Sequence, residues 1–362
     1  MAASMTGRER IAKLLRREIP DRVGLSETFW QDTVRSWIPQ GYPEGQPPHK
    51  FFNHDILKAG GMNLTAFPGR TQIIQETDDW ITAKDGNGAT MRRWKHRPGV
   101  PEHIAFEVEN GQAWRERYRE AVRTFKLERI KLDGYVSTLK RAAEEGLFAM
   151  YSGPEVFEVG KTIAGHVAMC AGMLEDPDWI HDMFDSIIEL IIQNYTYIFE
   201  KAGLPDGMWV SADMGFREHP FVGLEMYREM VLPHHKRLFD FFKSKGLPII
   251  LHSCGFIEPL VPGFIEAGID MLQAMEVKAG VDLRRLKPLY GARIGFMGNV
   301  DIRVLESNDL ARVEREVKTK VLCGIEDGGP YIFHSDHSIP SSVKYQTYRF
   351  ALDCALKYGQ YR

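Results

Sequence analysis

Short apolar runs that end in polar or small residues recur along the chain from residue 147 onward, and segments of helical length separate them. Repeated units of this kind predict a parallel sheet whose strands are connected by helices. Because polar residues follow so many of the runs, an eight-stranded (β/α)8 TIM barrel is favoured over a doubly wound sheet, since a barrel gathers its strand ends around one mouth. The predicted strands are Leu147–Tyr151, Met208–Val210, Ile249–Leu251, Met271–Met275, Ile294–Met297 and Tyr331–Phe333.

The segments between the predicted strands have the length and periodicity of helices, as at 176–202, 223–246 and 307–326. Residues 111–146 carry a charged helical pattern before the first of these strands. No Gly-x-Gly-x-x-Gly motif follows any predicted strand, so the sequence does not support a dinucleotide site.

The N-terminal part of the chain is predicted to add an extension to the barrel. Thr6–Arg17 opens with a Thr cap and has apolar residues one helical turn apart, which predicts an amphipathic helix within an extension of residues 1–22. Val23–Phe29 then predicts a short strand that ends at Glu27.

An insertion is predicted between this first strand and the regular part of the barrel. Residues 71–95 alternate in polarity and contain Asp85-Gly86-Asn87-Gly88, which is a turn signal for a β-hairpin. We interpret residues 1–362 as a single α/β barrel domain that carries this small β-hairpin insertion.

Charge and composition narrow the class of partner. The 362 residues contain 46 Lys and Arg against 49 Asp and Glu, so no basic excess predicts nucleic acid binding. No apolar run of about 18 residues predicts a membrane span. The 4 cysteines show no paired spacing, so we expect a cytoplasmic protein that binds a small molecule or another protein, with a homodimer as one candidate assembly.

A metal site is predicted at the mouth of the barrel. His252 and Cys254 are two apart at the end of a predicted strand, so their side chains point to the same face. Glu276 ends the next strand, and His334, Asp336 and His337 follow the last one as alternatives for a further ligand. A thiolate, two imidazoles and a carboxylate form a suitable tetrahedral set for zinc. The structural alternatives are a Glu276 that pairs with Lys278 or Arg293 and histidines that belong to the core.

These residues lie in a pattern that resembles the uroporphyrinogen decarboxylase superfamily over nearly the whole chain. The resemblance implies a (β/α)8 barrel with an N-terminal extension. The matching features are Pro20-Asp21-Arg22-Val23, Glu76-Thr77-Asp78-Asp79-Trp80, the SGPEVFE turn at 152–158, HSCG at 252–255, GNVD at 298–301 and HSDHSIP at 334–340.

The resemblance implies one of two chemistries. The decarboxylases of the superfamily carry an Arg-rich motif near the N-terminus that grips the propionates of a tetrapyrrole. The corresponding segment here, GLSETFWQDTVRSW, has only Arg35 nearby, so decarboxylation of uroporphyrinogen is not expected. The other branch comprises corrinoid-dependent methyltransferases, whose zinc ligands include a His-x-Cys at one strand end and a Cys near the last strand.

His252-Ser253-Cys254 matches the His-x-Cys pair of that branch, and Glu276 is similarly placed to the glutamate of the more distantly related cobalamin-independent methionine synthases. His337 stands where those families have their final Cys, and Asp336 and His334 are alternatives for this ligand. One thiolate instead of two gives a harder, less negative cluster, which favours an oxygen-linked methyl group over a thiol acceptor.

The expected activity is methyl transfer between a small methylated compound and the cobalt of a corrinoid (cobalamin) held by a separate protein, with zinc as the Lewis acid. Glu27, Glu155 and Asp213, at strand ends, are the candidates for substrate contact, and Asn299 and Asp301 are the candidates for cofactor binding. Carboxylates that cap helices are the structural alternative. Aromatic residues near the first strand suggest an aryl pocket for aryl methyl ethers, with a structural core as the alternative: Phe29, Trp30, Trp37, Phe51 and Phe52.

Two other function classes stay open at this point. One is a member of the superfamily without a metal, either a carboxy-lyase or a methyltransferase, in which His252 and His337 act as acid and base. The other is a barrel that only carries a tetrapyrrole or corrinoid.

Overall fold

A computed structural model describes residues 5–96 and 101–361 of the chain. The strands are β1 (Gly24–Leu25), β2 (Ile56–Ala59), β3 (Gln72–Glu76), β4 (Trp80–Lys84), β5 (Thr90–Trp94), β6 (Glu102–Ala105), β7 (Phe148–Pro154), β8 (Gly207–Ser211), β9 (Ile249–Ser253), β10 (Met271–Ala274), β11 (Gly295–Met297) and β12 (Tyr331–Phe333).

Helices follow most of the barrel strands. The α-helices are α1 (Gly7–Leu15), α2 (Gln31–Trp37), α3 (Pro48–Phe51), α4 (Gly111–Ala113), α5 (Arg119–Arg123), α6 (Leu132–Glu145), α7 (Val156–Glu175), α8 (Pro177–Ala202), α9 (Leu224–Met226), α10 (Leu232–Ser244), α11 (Val261–Ala267), α12 (Leu283–Tyr290), α13 (Ile302–Glu306), α14 (Leu310–Ile325) and α15 (Tyr345–Tyr358). π-Helical turns occur at Trp114–Tyr118 and Tyr227–Val231. Short 3-10 turns occur at Ile38–Gln40, Leu127–Arg129, Glu258–Leu260, Val277–Ala279 and Glu326–Gly328.

The main sheet is a ring of parallel strands. Its 8 strands lie in the order β1-β12-β11-β10-β9-β8-β7-β2, and every neighbouring pair in that order is parallel. The Asp55 N–H donates to the Leu25 carbonyl at 2.7 Å, which joins β2 to β1 and completes the ring. The prediction of a (β/α)8 barrel is confirmed, and each predicted strand from residue 147 onward overlaps an observed one.

Helix α1 closes the N-terminal end of the barrel. Thr6 caps the helix, as the sequence predicts. Its side chain and that of Glu9 form a capping box. Its buried side chains Ile11, Leu14 and Leu15 join the apolar residues that fill the barrel interior, which are Ile56, Phe148, Met150, Trp209, Ile250, Met271, Met297 and Ile332. With this end of the barrel filled, the open end is the one formed by the C-terminal ends of the strands. Residues 1–4 of the predicted extension lie outside the described residues.

A buried carboxylate ties the extension to the barrel. The Asp55 Oδ1 accepts from the Arg10 guanidinium at 2.6 Å, and its Oδ2 accepts from Arg22 at 2.9 Å and from the Leu25 N–H at 2.7 Å. The side chains of Arg10 and Asp55 are each only 3% exposed. One side chain therefore holds α1, β1 and the start of β2 together.

The insertion is larger than the predicted hairpin. Strands β4 and β5 form a hairpin around the Asp85-Gly86-Asn87-Gly88 turn, but they lie inside a 4-stranded antiparallel sheet of order β3-β4-β5-β6. All residues of β3 and β6 are exposed. β3 lies within the predicted segment 71–95, whereas β6 lies beyond it and has no buried face that would mark it as a strand in the sequence.

Within the described part of the chain, no helix has both the length and the apolar character needed to cross a membrane.

Candidate metal centre

Three side chains with metal-binding atoms meet at the open end of the barrel. His252 Nε2 lies 3.3 Å from Cys254 Sγ and 3.3 Å from Asp213 Oδ1. One ligand atom from each of these residues lies within 4.8 Å of the others, and the described residues contain no further group of this kind. The three residues come from two neighbouring strands, because His252 and Cys254 lie at the end of β9 and Asp213 follows β8.

The two loops that carry these residues pack backbone to backbone. Gly255 has φ +76°, a left-handed conformation that glycine adopts without strain, and a Cβ atom there would collide with the backbone of Gly215. The Cys254 N–H donates to Asp213 Oδ1 at 3.0 Å. This close approach brings Asp213 to the His252 and Cys254 side chains, and it explains the glycine of the HSCG segment.

The second ring nitrogen of His252 is held by Gln273. Gln273 pairs with His252 in the register of β9 and β10, and its Oε1 accepts from His252 Nδ1. The His252 ring also stacks on Trp209 at 6.1 Å between ring centroids. A ligating histidine usually donates its other N–H to an oxygen, which fixes the ring and leaves the remaining nitrogen free for a metal.

Gln273 was not predicted as a site residue. It is 2% exposed in a run of buried apolar residues. A lone amide in an otherwise apolar buried strand is the sequence signal that identifies it, because a buried polar side chain requires a partner.

The electrostatics of the group suit a cation. Burial alone would lower the pKa of His252, but its hydrogen bonds to Asp213 and Cys254 have a larger combined effect and raise that pKa well above its ordinary value. Burial alone would raise the pKa of Asp213, but the contact with His252 lowers it strongly. The pocket between a carboxylate and a sulfur atom therefore stabilises positive charge at the position of the His252 Nε2 proton.

The donor set fits zinc. A nitrogen, a sulfur and an oxygen from three protein residues are the ligands that catalytic zinc uses, and they leave one coordination position for a substrate or water. The orientation of His252 by Gln273 meets the further requirement for a positioned imidazole.

The structure brings neither Glu276 nor His337 into this group, so their roles as ligands stay predictions. Glu276 accepts from the Gly255 N–H at 2.7 Å and pairs with Lys278 at 2.8 Å, which is one of the alternatives for it. The His337 ring lies against Trp30, with the ring centroids 6.2 Å apart. Asp213, predicted to contact substrate, is the carboxylate that lies in the group.

Neither alternative for the last ligand lies in the group. Asp336 accepts from the Val277 N–H at 2.8 Å and the Ile302 N–H at 2.9 Å. Burial raises the pKa of Asp336 to about 7, although these two hydrogen bonds favour the charged form. His334 lies deeper in the barrel beside Glu27, with Nδ1 3.2 Å from Glu27 Oε1.

Glu27, predicted to contact substrate, follows β1 and lies in the barrel interior. Its carboxylate is fully buried. It accepts from the Thr28 N–H at 2.9 Å and from the Ser335 N–H at 2.9 Å. Burial raises the pKa of Glu27 to about 8, against the effect of these donors.

Three other predicted site residues cap helices or hold loops through hydrogen bonds. Glu155 caps α7, is fully buried and lies 2.6 Å from His235 Nε2. The Asn299 amide donates to the Met275 carbonyl at 2.6 Å and accepts from Lys320 at 2.6 Å. Asp301 caps α13 and pairs with Arg303. These contacts satisfy helix ends and loops, which is the structural alternative for such carboxylates, and the catalytic and cofactor-binding roles of Glu155, Asn299 and Asp301 stay predictions.

The predicted aryl pocket near the first strand is a packed core. Phe29 packs on Trp37, Phe52 and His54, with ring centroids 5.4 to 6.0 Å apart. Open space lies instead at the mouth, where a cavity of about 530 Å³ is lined by Phe216, Arg217, Cys254, Glu276 and Lys278, among others. This volume suits a small-molecule ligand next to the Cys254 sulfur.

Comparisons with known proteins agree with this fold and with the resemblance noted above. Residues 156–358 match the family model described as Uroporphyrinogen decarboxylase (URO-D). Methylated-thiol--coenzyme M methyltransferase of Methanosarcina mazei is 28% identical over 151 residues, which are 41% of this chain and 38% of that protein. The chain thus spans well under half the length of this relative. The solved structure of a methyltransferase from Methanosarcina mazei matches 98% of this chain and 99% of its own with a TM-score of 0.66, at 14% identity.

Proposed function

The chain belongs to the uroporphyrinogen decarboxylase family, and from this we propose that it is a zinc-dependent methyltransferase. It moves a methyl group between a small methylated substrate and the cobalt of a corrinoid (cobalamin) carried by a separate protein. The observation that carries the proposal is the meeting of His252, Cys254 and Asp213 at the barrel mouth, with the second His252 nitrogen held by Gln273.

The protein residues have distinct roles in this proposal. His252, Cys254 and Asp213 hold the zinc. Glu158 accepts from the Asp213 N–H at 3.1 Å and pairs with Lys161 at 2.6 Å, so the Asp213 loop is braced from outside. When bound, zinc supplies a Lewis acid that withdraws charge from the atom that carries the methyl group. The cavity beside Cys254 holds the substrate and leaves the open end of the barrel for the corrinoid protein.

The donor set also bears on the substrate. With a single thiolate among the three ligands, the zinc is harder than one bound by two thiolates and favours oxygen over sulfur in the substrate. We therefore assign methyl ethers, including aryl methyl ethers, as the substrate class. The M. mazei relative is named for methylated thiols and coenzyme M, and its two substrates are the sulfur-containing alternatives to test.

A metal-free mechanism with His252 and His337 as acid and base has less support. Gln273 and Asp213 engage His252, whereas His337 packs on Trp30. A carboxy-lyase that acts on a tetrapyrrole has less support as well, because the segment around β1 has only Arg35 nearby in place of the Arg-rich motif that the resemblance would imply.

The first experiment measures metal content and methyl transfer in the full-length protein. We expect about one zinc per chain after purification without chelator, from a set of three ligands with one open position. With zinc bound, the protein should methylate cob(I)alamin in the presence of an aryl methyl ether, and chelation should abolish the reaction until zinc is returned. A protein that takes up no zinc, or one whose methyl transfer survives chelation, would exclude this function.

Gln273→Leu is expected to weaken zinc binding by about 10-fold to 100-fold, because the oxygen that orients His252 is lost. The measurement is a competition titration with a chromogenic chelator. Gln273→Glu keeps an oxygen acceptor at the same place and should bind zinc about as tightly as the wild type. Gln360→Leu, an exposed glutamine near the C-terminal end, is the matched control. An unchanged zinc affinity in Gln273→Leu would mean that Gln273 does not position the ligand.

A further inference from the structure

A second polar group lies inside the barrel, below the metal-binding residues. His334 follows β12 and is 2% exposed, and Lys58 projects from β2 with its ammonium 3.7 Å from the centroid of the Trp209 ring. Gln273 lies between this group and the candidate metal centre, because its oxygen accepts from His252 and its amide nitrogen lies 3.5 Å from His334 Nδ1 without bonding to it.

The hydrogen bonds of His334 define its tautomer. Nδ1 lies 2.6 Å from the carbonyl oxygen of Ser335, and a carbonyl oxygen can only accept, so Nδ1 carries the hydrogen. Glu27 Oε1, at 3.2 Å from the same nitrogen, is a second acceptor for this hydrogen. The other nitrogen, Nε2, therefore presents a lone pair in the neutral ring.

This lone pair has no partner among the described residues. His334 Nε2 is buried, and no donor lies within hydrogen-bond distance of it. Burial lowers the pKa of His334 to about 3, and the Lys58 charge adds to the effect. The ring therefore stays neutral, and Nε2 keeps its unpaired lone pair. Buried acceptors are almost always paired in folded proteins, so an unpaired one that is held rigidly indicates a place for a ligand.

The acceptor lies close to the candidate metal centre inside the barrel. The His252 and His334 rings both lie beside Trp209, with centroids at 6.1 Å and 6.4 Å from it. Thus the metal-binding imidazole and the unpaired imidazole share one indole as a neighbour.

We propose that His334 Nε2 accepts a hydrogen bond from a free hydroxyl of the substrate, so that the enzyme selects methyl ethers that also carry a hydroxyl group. A carboxylate or a second ether has no hydrogen to give. The positive charge of Lys58 disfavours an ammonium group in the same place. The identification of the substrate as a methyl ether rests on the proposed function, whereas the role of His334 as an acceptor rests on its own geometry.

The test compares two ligands that differ only at this group, 2-methoxyphenol and 1,2-dimethoxybenzene. Binding of each to the full-length zinc-loaded protein is measured by titration calorimetry. We expect the wild type to bind 2-methoxyphenol about 10-fold to 100-fold more tightly, which is the range for pairing a buried acceptor that is otherwise unsatisfied. His334→Phe keeps a ring without the acceptor and should reduce this preference to about one. His334→Gln keeps an acceptor and should retain most of it.

His337→Phe, at the neighbouring histidine that packs on Trp30, is the control and should leave the preference unchanged. Equal binding of the two ligands by the wild type, binding of neither, or a preference that persists in His334→Phe would each overturn the proposal. Because the readout is binding, a protein that selects 2-methoxyphenol but transfers no methyl group would refute the proposed function and leave the role of His334 intact.

Discussion

Cys254→Ala is expected to lose the proposed zinc, with the metal content falling from about one to below about 0.1 per chain, because only two of the three proposed ligands remain. Methyl transfer should slow by about a thousandfold, since a Lewis-acidic metal contributes several kcal/mol to the transition state. Asp213→Ala should behave in the same way. Metal analysis and initial rates with cob(I)alamin are the measurements, made on wild type and variants side by side.

Two controls make this experiment decisive. Cys170→Ala removes another partly buried thiol, on α7, and should keep both zinc and activity. His337→Ala separates the ligand set proposed from the structure from the one that the sequence predicts. If His337→Ala lost zinc while Asp213→Ala retained it, the ligand set assigned here would be wrong and His337 would have to approach Cys254.

Asp55→Ala should destabilise the fold by about 3–5 kcal/mol, because it leaves the buried guanidinium of Arg10 without one of its two carboxylate partners and removes the acceptor of the Leu25 N–H. Such a loss is a large part of the total stability of a typical domain. Urea denaturation followed by circular dichroism measures it.

The matched control is Glu18→Ala, which breaks the Arg16–Glu18 pair. The two side chains of that pair are 59% and 48% exposed. Exposed pairs contribute about 0–1 kcal/mol, so the unfolding midpoint of this variant should stay close to that of the wild type. A loss in Asp55→Ala no greater than in Glu18→Ala would show that the extension is held by its apolar face alone.

The barrel could be predicted from the sequence because its determinants are local. Each strand after residue 147 is a short apolar run followed by a polar turn, and the capping box of α1 is contained within Thr6 to Glu9. The proximity of the His252 and Cys254 side chains could also be predicted, since the two-residue period of a strand puts both on one face.

The carboxylate partner of that pair depends on features that a linear pattern does not contain. Glu276 ends the strand next to β9 and is the natural choice, yet its oxygens are taken by the Gly255 N–H and Lys278. Asp213 reaches the group because two glycines let the loops after β8 and β9 touch. Whether a rim carboxylate faces a ligand or caps a backbone N–H is decided by such tertiary contacts.

The insertion could be predicted only in part. The β4–β5 hairpin has a strong turn signal, but β3 and β6 are exposed throughout, so no buried apolar face marks them as the outer strands of a sheet. Their pairing to β4 and β5 comes from backbone hydrogen bonds, which any sequence can make.

The closure of the strand ring has a consequence for synthesis of the protein. β1 pairs with β12, and the Val23 N–H donates to the Gly359 carbonyl at 2.8 Å, so the first strand needs partners that are translated last. At the usual rate of translation, the segment between them takes on the order of tens of seconds to emerge from the ribosome. For that time one edge of β1 has no neighbour. The nascent chain, more than the finished barrel, is therefore the form most exposed to pairing with strands of other molecules.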